Sequence, residues 1–262
     1  MRTFEKTDGL ALRVAPFSNT SLVVTWLTAA RGRLVTVVKG ALRPKSAFLG
    51  QIDLFYTCEL VFYARERDGI HVLKECAALK TRGAFRCDWR AAAGASYLCD
   101  VAARASVAAD PNPQLHGLLE ACFDQFCRSG ANLSLLFWAE LKLMAALGMM
   151  PELGRCVACA GTRASGADGG TARFSHARGG MLCCACAAGA AAETVPVQPD
   201  VLAMLRHWQR SGHPRMAANT QCEGRQASAI ESLLGRFLQY HLDMSLRSRS
   251  IALRLMKEPS CP

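Results

Sequence analysis

The chain has 262 residues, is about half apolar (51%) and carries a formal charge of +10. That length suffices for one large domain or two to three small ones with an ample core, and no run of ~18 uninterrupted apolar residues is present to cross a bilayer. The surplus of lysine and arginine points to a polyanionic partner, nucleic acid before acidic membrane.

From Gly9 to Lys80 the pattern predicts strands. Leu10–Ala15, Thr20–Thr28, Arg33–Lys39, Leu54–Ala64 and Ile70–Leu79 are short, rich in Val, Leu, Phe and Thr, and separated by turn residues. Leu22, Val24 and Trp26 share one face, as do Leu34, Thr36 and Val38. Five short strands without a long intervening helix suggest a small barrel. The five-stranded OB-fold is the commonest such module that binds nucleic acid, and an SH3-like barrel is the alternative. Arg31 and Arg33 sit at a hairpin tip, and Lys39, Arg43 and Lys45 follow the third strand; these five fall within fifteen residues that contain no acid. Such a rail of cations suits the phosphates of a single strand, with exposed rings for bases. Trp26, Phe48, Phe55 and Tyr56 are candidate rings, each better explained as barrel core.

A basic connection from Arg82 to Arg90 marks a domain boundary near Arg82, giving an N-terminal domain over 1–82 and a helical one over 83–262. Asp110-Pro111-Asn112-Pro113 starts a helix whose Leu115, Leu118, Leu119, Cys122, Phe123 and Phe126 form one stripe. Asn132 caps a second helix, Leu133 to Leu147, which Gly148 ends. Glu140 lies on the apolar face of that helix, so it needs a partner, and a structural salt bridge is expected. Ala187–Ala192 reads as a small-residue linker, Asp200 as the cap of a helix reaching Arg210, and Arg225 to Met256 as two further helical segments.

Within the helical part, Cys156-Val157-Ala158-Cys159 and Cys183-Cys184-Ala185-Cys186 face each other across one loop. Two C-x-x-C pairs in this arrangement are the usual form of a four-thiolate zinc site. A module over 154–190 with Cys156, Cys159, Cys183 and Cys186 as ligands is therefore expected, its Zn2+ structural because no position stays open for water. Cys184 competes with Cys183, which has the standard spacing to Cys186. A thioredoxin-like motif would need a βαβ unit, and a zinc deaminase an H-x-E element, and neither is seen. The intervening Gly161–Thr171 stretch is glycine-rich and expected to be mobile. The 13 cysteines are otherwise mostly single, as in reduced proteins, and no apolar signal region follows Met1-Arg2-Thr3-Phe4; both point to the cytoplasm.

Several motifs resemble the bacterial RecO recombination-repair family. Val38-Lys39-Gly40-Ala41-Leu42-Arg43-Pro44-Lys45-Ser46 after Arg31-Gly32-Arg33-Leu34 is similar to the start of these proteins, as is Pro16-Phe17-Ser18-Asn19-Thr20-Ser21-Leu22. Leu42 departs from the family, which often has a basic residue there. Phe137-Trp138-Ala139-Glu140-Leu141-Lys142, followed by Leu147-Gly148 and the cysteine module, extends the likeness, as do Tyr240-His241-Leu242 and Arg247-Ser248-Arg249. The resemblance implies an α+β multidomain architecture: an OB-fold barrel, then a helical domain carrying the zinc module. It implies a non-enzymatic recombination mediator that binds single- and double-stranded DNA, anneals strands, and loads recombinase on DNA covered by single-strand-binding protein (SSB). The implied partners are RecR, the SSB C-terminal tail and, in many bacteria, RecF. The implied protein is monomeric alone and nucleoid-associated. Arg31, Arg33, Lys39, Arg43 and Lys45 are the expected DNA contacts. No G-x-x-x-x-G-K-[ST], H-E-x-x-H or G-x-S-x-G motif suggests an enzyme. A zinc-dependent enzyme acting on nucleic acid and a protein adaptor with incidental charge are the competing classes.

Overall fold

Strand β1 (Phe4–Ser18) is the longest described strand because it serves two partners. Residues Phe4 to Leu10 pair antiparallel with β4 (Thr57–Tyr63), and Leu10 to Ser18 pair with β2 (Ser21–Thr28). A register shift between Ala11 and Arg13 bends the strand where it changes partner. β3 (Gly32–Val38) runs antiparallel to β2 and parallel to β5 (Ile70–Lys80), and β5 returns antiparallel to β4. The order β1-β2-β3-β5-β4 closes on itself, so the OB-fold expectation holds over the SH3-like alternative. This computed structural model describes residues 4–64, 69–161, 172–189, 194–222 and 224–258. The expected mobile loop falls outside these residues except for Gly161.

Alternation fills the barrel. Val24, Trp26, Leu34, Val38, Cys58, Leu60, Phe62 and Leu73 point inward with Tyr56, and Phe48 packs against them. The Trp26 indole N–H donates to the Thr36 hydroxyl at 2.9 Å, so its polar edge is satisfied inside the barrel. The candidate rings Trp26, Phe55 and Tyr56 are buried, as the core explanation requires.

The chain divides into two compact units, Met1–Gly130 with Ile251–Pro262, and Ala131–Ser250. In the first, the basic connection after β5 is a joint. Arg82, only 4% exposed at its side chain, donates to the Phe55 carbonyl (2.7 Å), the Thr57 hydroxyl (3.0 Å) and Asp124 (2.9 Å). Lys80 reaches Glu120 at 2.8 Å and Asp124 at 3.0 Å. Both acids sit on α2 (Pro113–Ser129), which Asn112 caps by accepting from the Leu115 N–H at 2.8 Å. Phe55, Phe85 and Phe123 form a triangle of rings with centroids 4.7–5.8 Å apart beneath this network. The sequence reading does not anticipate α1 (Trp89–Ala105), capped by Asp88, whose alanine-rich sequence lacks a large-residue stripe.

In the second unit, α3 (Leu133–Ala146) is the central rod, buried on nearly every side. Asn132 caps it through the Leu135 N–H at 2.8 Å. Around it lie α5 (Pro199–Arg210), α6 (Pro214–Ala218) and α7 (Gly224–Leu242). Glu140, 1% exposed, takes a two-pronged ion pair from Arg249 (2.6 and 3.0 Å), where a structural partner was expected. Gln198, not Asp200, occupies the cap of α5; Asp200 instead binds Arg225 (2.5 Å) and Gln226 (2.8 Å). The small sheet β7-β6-β8, made of β6 (Ala172–Ser175), β7 (Gly180–Leu182) and β8 (Thr194–Val197), carries the cysteine module. Ala187 and Ala188 belong to α4 (Cys184–Ala188) rather than to a linker, and Ala190–Ala192 lie outside the described residues. The last described helix is α8 (Arg247–Lys257). Among the described residues no helix is long and apolar enough to cross a membrane.

Candidate nucleic-acid interface and metal centre

The β3–β4 connection leaves the barrel after Val38 and runs as a chain of tight turns. The Arg43 N–H donates to the Gly40 carbonyl, Ser46 to Arg43, Leu49 to Ser46 and Gln51 to Phe48, all at 3.0–3.2 Å. The connection is tied to the β1–β2 turn by the Leu42 N–H on the Thr20 carbonyl (3.0 Å) and to the core by Phe48. Turns of this kind direct side chains outward, and Lys39, Leu42, Arg43, Lys45 and Leu49 are all exposed. None of the three cations has an ion-pair partner among the described residues. They form a solvated positive edge at one end of the barrel.

The other two expected DNA contacts are placed differently. Arg31 is ion-paired with Glu5 of β1, and its guanidinium lies over the Phe62 ring at 6.0 Å. Arg33 is half-buried and donates to the Ala103 carbonyl at 3.2 Å, bracing the end of α1. The five residues therefore do not make one rail of unmatched charge. The acid-free window in the sequence concealed this, because barrel closure brings Glu5 across from a distant part of the chain. In the C-terminal Arg247-Ser248-Arg249 motif, Arg249 is likewise buried against Glu140.

The metal centre is built from two knuckles. The first is clamped to β7: Glu152 N–H donates to the Gly179 carbonyl (2.9 Å), Met181 to Glu152 (2.8 Å) and Val157 to Met181 (2.9 Å). Gly180 permits this approach, for a Cβ there would stand 2.5 Å from the Glu152 oxygen. From the other side, Arg206 of α5 donates to the Leu153 carbonyl at 2.7 Å. The second knuckle is the turn from β7 into α4, with Cys183 at the cap of that short helix.

Together they place the sulfurs of Cys156, Cys159, Cys183 and Cys186 all within 4.8 Å of one another, with Cys184 exposed and outside the group. The Cys159 and Cys183 sulfurs are 3.8 Å apart. A tetrahedron with metal–sulfur bonds of about 2.3 Å has an edge of just this order. Burial works against ionising Cys156, yet the backbone N–H groups of Cys183, Cys159 and Ala158 outweigh it and bring the thiol down to about 6. Hydrogen bonds from Cys183, Cys159 and Cys156 push Cys186 up to about 12. A pair in which Cys156 is held ready as thiolate while Cys186 retains its proton fits a cation that displaces that proton. The group can hold a metal ion.

Comparisons with known proteins cover most of the chain. The family described as Recombination protein O N terminal matches residues 1–82, and that described as Recombination protein O C terminal matches 86–250. The chain is 30% identical over 246 residues to the DNA repair protein RecO of Anaeromyxobacter sp. strain K, covering 93% of this chain and 94% of that one. It is 31% identical over 247 residues to the RecO of Anaeromyxobacter sp. strain Fw109-5, covering 93% of each. The RecO of Myxococcus xanthus is 27% identical over 241 residues, covering 92% of this chain and 93% of its own.

Proposed function

Because the chain belongs to the RecO family of DNA repair and recombination proteins, we propose that it is a DNA-binding recombination mediator that acts without covalent catalysis. It binds single- and double-stranded DNA and anneals complementary strands. With RecR, and with RecF where that protein operates, it helps load recombinase onto DNA covered by SSB. Its cytoplasmic, nucleoid-associated location follows from the same role. Lys39, Arg43 and Lys45 are assigned as the principal phosphate contacts, with Arg31, once it releases Glu5, and Arg33 as secondary ones. Docking of the SSB tail is assigned to the helical unit.

The observation that carries this reading is the exposed edge of unmatched cations on a barrel of OB topology. Annealing requires two polyanions to approach, and a cationic surface lowers their repulsion by neutralising phosphates and releasing counterions. In the helical unit, Cys156, Cys159, Cys183 and Cys186 hold a structural Zn2+. When bound, the ion supplies cross-linking of two knuckles that have little core of their own.

The test is annealing of complementary oligonucleotides followed by energy transfer between labels. Reversing Lys39, Arg43 and Lys45 together to Glu slows annealing at least about tenfold, roughly the loss of one or two charge-assisted contacts. An unchanged rate in that variant removes the loop from the mechanism.

A further inference from the structure

The first unit has a second concentration of positive charge that annealing by the loop does not use. Between the outer face of β1–β3 and the helix α1 lies a cleft of about 730 Å³. Arg13, Arg33 and Arg104 line it, with Thr25 and Ser96 between them, and Asp100 is the one acid among the described lining residues. Three guanidiniums against one carboxylate leave a net charge of +2 (3 − 1). Asp100 itself stands 3.6 Å from Arg104, one helical turn away. The remaining walls are aliphatic, which lowers the local dielectric and strengthens attraction for an anion.

The cleft is held in shape by the backbone. The Arg33 N–H donates to the Val107 carbonyl at 3.0 Å, and Arg33 Nη1 to the Ala103 carbonyl at 3.2 Å. Gly32, at φ +61°, lets the segment after α1 lie against the β2–β3 turn; a Cβ there would fall 2.1 Å from the Asp110 oxygen. Arg33 is thus anchored at one nitrogen, while its Nε is buried with no acceptor among the described residues. Buried donors are rarely left unpaired. An anionic oxygen entering beside Arg33 is the acceptor the fold does not supply. The volume lies within the range of small-ligand sites.

We propose that this cleft is a second phosphate-binding site, taking the phosphates of a DNA strand that continues past the barrel loop. As a phosphate site it stands on its own geometry; as a strand site it rests on the DNA-binding reading above. Position supports continuation. Arg13 lies opposite Thr25, and Thr25 opposite Val35, across β1, β2 and β3. Lys39 follows Val35 by four residues, about 13 Å of extended chain, no more than about four nucleotides even at the roughly 3.4 Å axial rise per phosphate of one strand in a duplex.

The experiment uses the full chain and two probes, a labelled oligothymidylate and free thymidine monophosphate. Three proteins are compared with wild type: Arg13→Ala with Arg104→Gln, the charge-keeping Arg13→Lys with Arg104→Lys, and Lys39→Ala with Arg43→Ala and Lys45→Ala. For single strands each phosphate contact contributes about 0.7 to the slope of log affinity against log salt. The cleft pair is expected to lower that slope by about 1.4, and the lysine pair to keep it. Arg13→Ala alone, at an exposed position, gives half the effect if the double variant fails to fold. Loss of monophosphate binding with unchanged oligonucleotide binding supports the phosphate site and assigns it to free nucleotides. Unchanged binding of both probes in the folded cleft variant overturns the proposal. If the cleft variant weakens strand binding and the loop variant does not, the loop assignment fails and the cleft stands; the opposite result leaves the loop and removes the cleft as a strand site.

Discussion

The joint after β5 and the β3–β4 loop of the first unit both gather cations, and they differ in what faces them. At the joint after β5, Lys80 and Arg82 meet Glu120 and Asp124, and every charge has an opposite within hydrogen-bonding distance. On the β3–β4 loop, Lys39, Arg43 and Lys45 face solvent with no such match among the described residues. The counts of positive charge are similar, yet one set fastens the chain to itself and the other is open to an external anion. Net charge alone suggests a polyanion partner; the distribution of acids in space says which cations can serve it.

If matching is what makes a cation structural, breaking matched pairs should cost stability in proportion to burial. The pair Glu140–Arg249 is the most buried of the ion pairs described. Glu140→Ala leaves Arg249 uncompensated, and should destabilise the chain by about 3–5 kcal/mol in urea unfolding. Arg82→Met at the joint strips hydrogen bonds from Phe55, Thr57 and Asp124, and is expected to cost about 1–3 kcal/mol. Neither change should slow annealing beyond what lost folded protein explains.

Acid probes the joint without mutation. Burial raises the pKa of Glu120 and Asp124, but Lys80, Arg82 and, for Glu120, the Thr57 hydroxyl overcome it and hold both below the ordinary carboxylate range. The folded state then binds fewer protons than the unfolded state. The network's contribution is therefore complete above the ordinary carboxylate pKa, about 4, and is lost as pH falls through the depressed values. Melting temperature measured against pH should drop below about pH 4, and part of that drop should disappear in Arg82→Met. Cys184→Ser has the smallest expected effect, within about 0.5 kcal/mol, with metal content per chain unchanged. Cys156→Ser, by contrast, should lose the metal and the fold of the module.

Much of this was legible in the sequence because it rests on local pattern. Strand alternation placed β2 and β3 within a residue or two, and Asn112 and Asn132 announced two helix starts through side chains that do cap them. The two C-x-x-C knuckles brought the four thiols into view before any fold was known. Less legible were features that depend on distant segments meeting. Glu5 neutralises Arg31 only because β1 curls round to close the barrel, and Arg33 is braced through Nη1 on α1, a helix whose small residues hide its buried face. Arg13 stands alone in an apolar strand, Leu10-Ala11-Leu12-Arg13-Val14, and that isolation was the available hint that its side chain leaves the core.

The comparison comes to a single pair of measurements on one protein preparation: salt dependence of oligothymidylate binding, and melting temperature. Charge reversal of Lys39, Arg43 and Lys45 should lower the salt slope by about 2, three contacts at about 0.7 each, while the melting temperature stays that of wild type. A wild-type slope in this variant, or a loss of slope that appears only together with unfolding, would contradict the assignment of the loop as the DNA-binding edge.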